Sequence, residues 1–150
     1  MPLPQDQNEE RRIMRINYLI IIPALLLLAS AVSAQTSTNK TEAANRAWPG
    51  FWRQFTAAVN KKDQVALRKM MPDNFADESG GLNATEWLRF IDENARKGSW
   101  RDLQRSFARG TVVNKEWRNK GVPTRITRDK LYYFEFRKDN RWYFAGVVGD

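Results

Sequence analysis

The chain contains neither cysteine nor histidine in its 150 residues. Without cysteine there is no disulfide staple and no thiol to carry a lipid at an export cleavage site, so the fold must hold by packing alone. Without histidine the commonest general base and metal ligand of neutral pH is missing. No Gly-rich phosphate loop, nucleophile elbow, internal repeat or low-complexity tract occurs. Asp73, Asp77 and Glu78 lack the spacing and ligand number of a Ca²⁺ loop, so no metal and no cofactor is expected. Proton-transfer chemistry would have to come from carboxylates and tyrosines.

Long apolar runs are nearly absent as well. The one exception lies in "RRIMRINYLIIIPALLLLASAVSAQ", where Arg11, Arg12 and Arg15 precede an apolar stretch that ends in small residues. Val32 and Ala34 fit the small-residue pattern of a secretory cleavage site, so residues 1–34 read as a signal peptide and the protein as exported, periplasmic or secreted. The alternative is an N-terminal anchor over 18–34, which would attach the chain to a membrane. That stretch falls short of the roughly 20 residues needed to span a bilayer, and Pro23 and two serines interrupt it, although Asp6, Glu9 and Glu10 are atypical of a signal.

Positive charge is abundant, with a net +8, and it is unevenly placed. Residues 35–97 carry ten Lys/Arg against eight Asp/Glu, whereas residues 98–150 carry twelve against six. A basic C-terminal half suits anionic partners, and binding of an anionic polymer through basic strands is one functional alternative. Edges kept soluble by Lys and Arg are the plainer reading, and an exported protein seldom meets nucleic acid.

Residues 35–47 are polar and without periodicity and read as a flexible leader. Order is expected from Trp48 through residue 150. Phe51, Trp52, Phe55, Ala58 and Val59 share one helical stripe. Asp63 can cap a second helix in which Val65, Ala66 and Met70 turn inward. Phe75 falls in a link with a short strand, Asn83 or Thr85 starts a third helix that presents Trp87, Leu88 and Ile91, and Gly98 follows it. Ser99 and Asp102 resemble a capping box that opens a helix in "SWRDLQRSFARG", a segment that fits a strand in its later part equally well. From Gly110 the period becomes two, in "TVVNKEW", "TRITRDKLYYFEFRK" and "RWYFAGVV". Helices followed by antiparallel strands argue an α+β domain.

The terminal "LYYFEFRKDNRWYFAGVVGD" is the richest segment. A two-residue turn at Asp139-Asn140 would pair Phe136 with Tyr143, Phe134 with Ala145 and Tyr132 with Val147 on an uncharged core face. The outer face would then carry Tyr133, Glu135 and Arg137 with Trp142 and Phe144, an aromatic and charged composition suited to a pocket or interface. A homodimer through that outer sheet face, with Glu135 and Arg137 bonding across the axis, is one way to cover it; the alternative is that "RDLQRSFARG" or the leader folds back over it within one chain.

Two stretches, "FWRQFTAAVNKKDQVALRKMM" with Asp63 at the turn and the terminal "LYYFEFRKDNRWYFAGVV", resemble the nuclear transport factor 2-like superfamily, which includes ketosteroid-isomerase-like and SnoaL-like proteins. The resemblance runs from Trp48 onward. It implies a cone-shaped fold, N-terminal helices packed on a curved antiparallel sheet around a pocket, often dimerising through the sheet. The superfamily holds enzymes and non-enzymes alike. The expected function is therefore an exported domain that binds a small apolar ligand or a protein partner without catalysis. The alternative is a small isomerase or hydratase using Asp92 on the third helix and Tyr132 on the inner sheet face as acid and base. Against that, Asp92 lies among polar residues at a helix end and Tyr132 suits plain core.

Overall fold

The computed structural model of the chain describes residues 38–114 and 121–149. The signal or anchor segment, residues 35–37 of the expected leader and residues 115–117 of the expected first strand lie outside them.

Helix α1 runs through residues 40–61, so order begins earlier than the sequence predicts. The expected leader is polar, but Ala43, Ala44 and Ala47 are strong helix formers, and Ala44 starts the stripe that Trp48, Phe51, Phe55 and Ala58 continue at steps of four and three. Ala44 and Phe55 are buried, and the Trp142 indole N–H donates to the Ala44 carbonyl at 2.8 Å. Pro49 sits inside this helix, where it cannot bond the Asn45 carbonyl. Both residues are exposed, so that carbonyl is open to water. The helix ends in a Schellman turn. Lys62 takes the left-handed conformation (φ 57°), the Lys62 N–H donates to the Val59 carbonyl at 3.1 Å, and the Asp63 N–H donates to the Ala58 carbonyl at 2.9 Å.

Asp63 then caps α2 (Gln64–Lys69) by accepting the Ala66 N–H at 2.9 Å, as expected. That cap fixes the helical phase. Leu67 and Met71 form its core stripe, which puts Val65, two residues and about 200° before Leu67, on the far side. Val65 is 69% exposed, a correction to its expected inward position. Strand β1 (Ala76–Asp77) follows, with buried Phe75 just before it. Helix α3 (Ala84–Glu93) starts from Asn83 in a full capping box with Glu86 and buries Trp87, Leu88 and Ile91. A 3₁₀ turn (Ala95–Lys97) and left-handed Gly98 lead into α4 (Ser99–Ala108). The expected Ser99 capping box does not form, because Gly98 is the N-cap and the Ser99 hydroxyl turns back to the Ile91 carbonyl.

The remaining strands are β2 (Thr111–Val113), β3 (Thr124–Thr127), β4 (Tyr132–Phe136) and β5 (Trp142–Val147). The sheet order is β1-β5-β4-β3-β2, with β1 parallel to β5 and every other pair antiparallel. The stretch "TRITRDKLYYFEFRK" is two strands rather than one. Asp129 accepts from the Thr127 hydroxyl at 2.6 Å and from the Leu131 N–H at 3.3 Å, and Lys130 turns left-handed (φ 62°), which closes a tight turn.

The β4–β5 hairpin departs from expectation at its tip. The Arg137 N–H donates to the Arg141 carbonyl and the Asn140 N–H to the Arg137 carbonyl, with Asn140 left-handed at φ 59°. This is a three-residue loop over 138–140, so Phe136 pairs with Trp142 and Phe134 with Phe144. Ala145 is then an extra residue, a β-bulge that restores the expected pairs Tyr133–Gly146 and Tyr132–Val147. A one-residue slip exchanges faces, so Trp142 and Phe144, expected outside, lie in the core.

The inner sheet face and the helices share one aromatic core. Phe55 lies 4.9 Å from Phe107, 5.2 Å from Phe134 and 5.3 Å from Phe144 between ring centres, mostly edge to face. Helix α2 is tied to the sheet by the Phe144 N–H donating to the Met70 carbonyl at 2.8 Å.

Candidate functional site

The two residues expected to carry acid–base chemistry occupy different settings. Asp92 is exposed on α3 and accepts the Trp100 indole N–H at 3.2 Å, a structural contact between α3 and α4. Tyr132 is half-buried on the inner sheet face, its ring 5.1 Å from Phe107, 6.0 Å from Phe144 and 6.3 Å from Trp87. Burial, followed by the charges of Asp129, Asp102 and Asp77, pushes its hydroxyl up to about 12. Asp92 is not among the charges acting on it. These rings pack against the inner side of Tyr132.

Beside Tyr132 lies a polar turn. Burial works to raise the Asp129 carboxyl, but hydrogen bonds from Thr127 and Leu131 and the nearby Arg109 charge bring it below the ordinary value. The Ser106 hydroxyl contributes in the same direction, although its geometry falls short of a hydrogen bond and leaves Ser106 Oγ unpaired in the interior.

Of the residues expected on the outer sheet face, Tyr133, Glu135 and Arg137 are there. The Tyr133 ring lies against Gly146, and burial raises its hydroxyl to about 12. Arg137 donates to Glu135 at 3.1 Å and to Asn74 at 2.7 Å, and its guanidinium stacks 5.4 Å from the Tyr143 ring. The Glu135–Arg137 pair is therefore closed within the chain. Trp142 and Phe144 belong to the core.

A groove of about 330 Å³ lies elsewhere, between α2 and α3. It is lined by Gln64, Val65, Arg68, Lys69, Thr85 and Leu88. Leu88 forms a buried floor and Val65 an exposed apolar wall. Val65 and Lys69 are one helical turn apart and share a face. The Arg68 guanidinium is engaged at each of its three nitrogens, donating to Thr85 at 3.4 Å, to the Met71 carbonyl at 3.2 Å and to Asp73 at 3.0 Å. Lys69 has no ion-pair partner among the described residues. The groove thus offers an apolar floor with a free ammonium at its rim.

Comparison with protein-family models, curated proteins and solved structures finds no significant match. Function therefore rests on this geometry. Among the described residues no three acidic side chains are grouped so as to hold a metal ion.

Sequence reasoning missed the groove because it placed Val65 inward. The usable signal was Asp63: once it is the N-cap, Leu67, Met70 and Met71 claim the buried side of so short a helix, and Val65 cannot join them.

Proposed function

We propose that this chain is an exported, non-catalytic binding domain with a nuclear transport factor 2-like arrangement, and that the groove between α2 and α3 holds a small apolar ligand or an apolar side chain of a partner protein. The observation that carries the reading is Val65, an apolar side chain left 69% exposed against the buried Leu88 in a groove of about 330 Å³. That volume lies at the lower end of the range for small-molecule sites, about 300–1,000 Å³. The free Lys69 ammonium favours a ligand with a carboxylate beside its apolar part. Separation of Asp92 from Tyr132 speaks for binding over proton transfer.

Calorimetric titration of the full-length chain with dodecanoate tests the reading. Binding is expected in the unaltered protein, lost in Val65→Asp and weakened in Lys69→Glu. Equal affinity in all three would reject the groove as the site.

A further inference from the structure

Strand β2 forms one end of the sheet, and its hydrogen-bonding geometry leaves a defined set of backbone groups unused. The Arg128 N–H donates to the Gly110 carbonyl at 3.2 Å and the Asn114 N–H to the Thr124 carbonyl at 3.0 Å. In an antiparallel ladder bonded pairs alternate with non-bonded ones, so Val112 bonds Ile126, while Thr111 and Val113 stand opposite Thr127 and Arg125 without bonding them. The β3–β4 ladder agrees, since the Phe136 N–H bonds the Pro123 carbonyl and the same alternation turns Arg125 toward β4. The N–H and C=O groups of Thr111 and Val113 consequently point to the outer edge, where β2 has no further strand neighbour among the described residues.

Natural proteins guard such edges by keeping the strand short, as the three residues of β2 are, or with a charge or proline within the strand, a bulge, or a covering element. The Thr-Val-Val of β2 carries no charge and no proline, and it pairs with β3 without a register shift. Val112 and Val113 are 40% and 45% exposed although they point to opposite faces, so the strand is open on both sides. Its surroundings are net positive, with Asp129 after β3 as the acidic group near Arg109. Residues 109–114 and 121–128 hold Arg109, Arg125 and Arg128 and no acidic residue. A second copy paired across this edge would set these arginines against their own duplicates.

We infer that the β2 edge binds an extended, β-branched segment of a partner protein flanked by acidic residues, which adds a sixth strand to the sheet. The outward N–H and C=O groups of Thr111 and Val113 supply the register, Val112 and Val113 pack its alternate side chains, and Arg128 and Arg109 select acidic flanks, Arg125 being held by the Thr111 hydroxyl and the Trp48 ring. This site is separate from the α2–α3 groove, and each stands or falls without the other.

The probe is the peptide acetyl-Glu-Thr-Val-Thr-Val-Glu-amide, titrated into the full-length chain at low and high salt. Saturable binding that weakens as salt rises is expected. Val113→Pro removes one outward N–H without touching the β2–β3 ladder and is expected to lower affinity about tenfold, the equivalent of one hydrogen bond. Should that variant not fold, the same peptide N-methylated at alternate amides, titrated into the unaltered protein, must lose binding on its strand-pairing side. Equal affinity of the methylated peptide would overturn the inference. So would a concentration-dependent dimer that Val113→Pro abolishes, because the occupant would then be a second copy of this chain.

Discussion

Phe55 is the residue on which the core turns. Its ring touches Phe107 of α4, Phe134 of β4 and Phe144 of β5, and no part of it reaches solvent. Phe55→Ala is expected to cost about 3–5 kcal/mol, as truncation of a fully buried aromatic does, out of a typical domain stability of about 5–15 kcal/mol. Thermal denaturation checks this, and an unchanged melting temperature would mean that the stripe on α1 faces elsewhere. Tyr132 and Tyr133 give a second handle at this scale. Both hydroxyls are raised from 10.0 to about 12, chiefly by burial. Between these values the unfolded chain loses protons that the folded chain keeps, so stability must fall as pH rises through that window and be fully present below pH 10. Absorbance titration near 295 nm should show Tyr132 and Tyr133 ionising late, together with unfolding, with Tyr143 also raised by its hydrogen bond to Asp139. Four tyrosines titrating together near 10 would contradict the burial.

The loop at 138–140 and the bulge at Ala145 together decide which side of β5 is core. With both, Trp142, Phe144 and Val147 all face the helices, and Gly146 falls where β1, β5 and the Tyr133 ring converge. A Cβ at 146 would run into the Ala76 carbonyl oxygen and come within 2.6 Å of the Tyr133 ring. Gly146→Ala is therefore expected to destabilise by about 1–3 kcal/mol and to loosen β1 from β5, read as faster amide exchange at Ala76–Glu78. Protection unchanged at those amides would place the strand pair differently. Elements of this kind mark the limit of what residues reveal in isolation. Asp63, Asn83 and Gly98 announced the helix boundaries because capping and left-handed turns are local chemistry. The loop at 138–140 did not, since Asp139-Asn140 suits a two-residue or a three-residue turn equally well, and one residue of difference moves Trp142 and Phe144 across the sheet. The early start of α1 was hidden by polar neighbours, although Ala44 lies in phase with Trp48 and Phe55.

Across the whole molecule, an α+β fold with helices first and strands last was legible from the change of period at Gly110. The site was not. Two expectations pointed to the sheet, a pocket behind Tyr132 and an aromatic outer face; rings of Trp87, Phe107 and Phe144 pack against Tyr132, and the three-residue loop at 138–140 takes Trp142 and Phe144 from the outer face. The outer face keeps Tyr133, Tyr143 and a Glu135–Arg137 pair already satisfied by Asn74, so light scattering on the full-length chain is expected to give a monomer. A dimer broken by Arg137→Glu would return the assembly to that face. The central claim is that ligand is held on the surface between α2 and α3 rather than inside the fold. Amide chemical-shift mapping during titration with dodecanoate tests it most directly. The account predicts shifts concentrated at residues 64–69 and 84–88. Shifts concentrated instead at Phe107, Tyr132 and Phe144 would contradict it and place the ligand among the core rings.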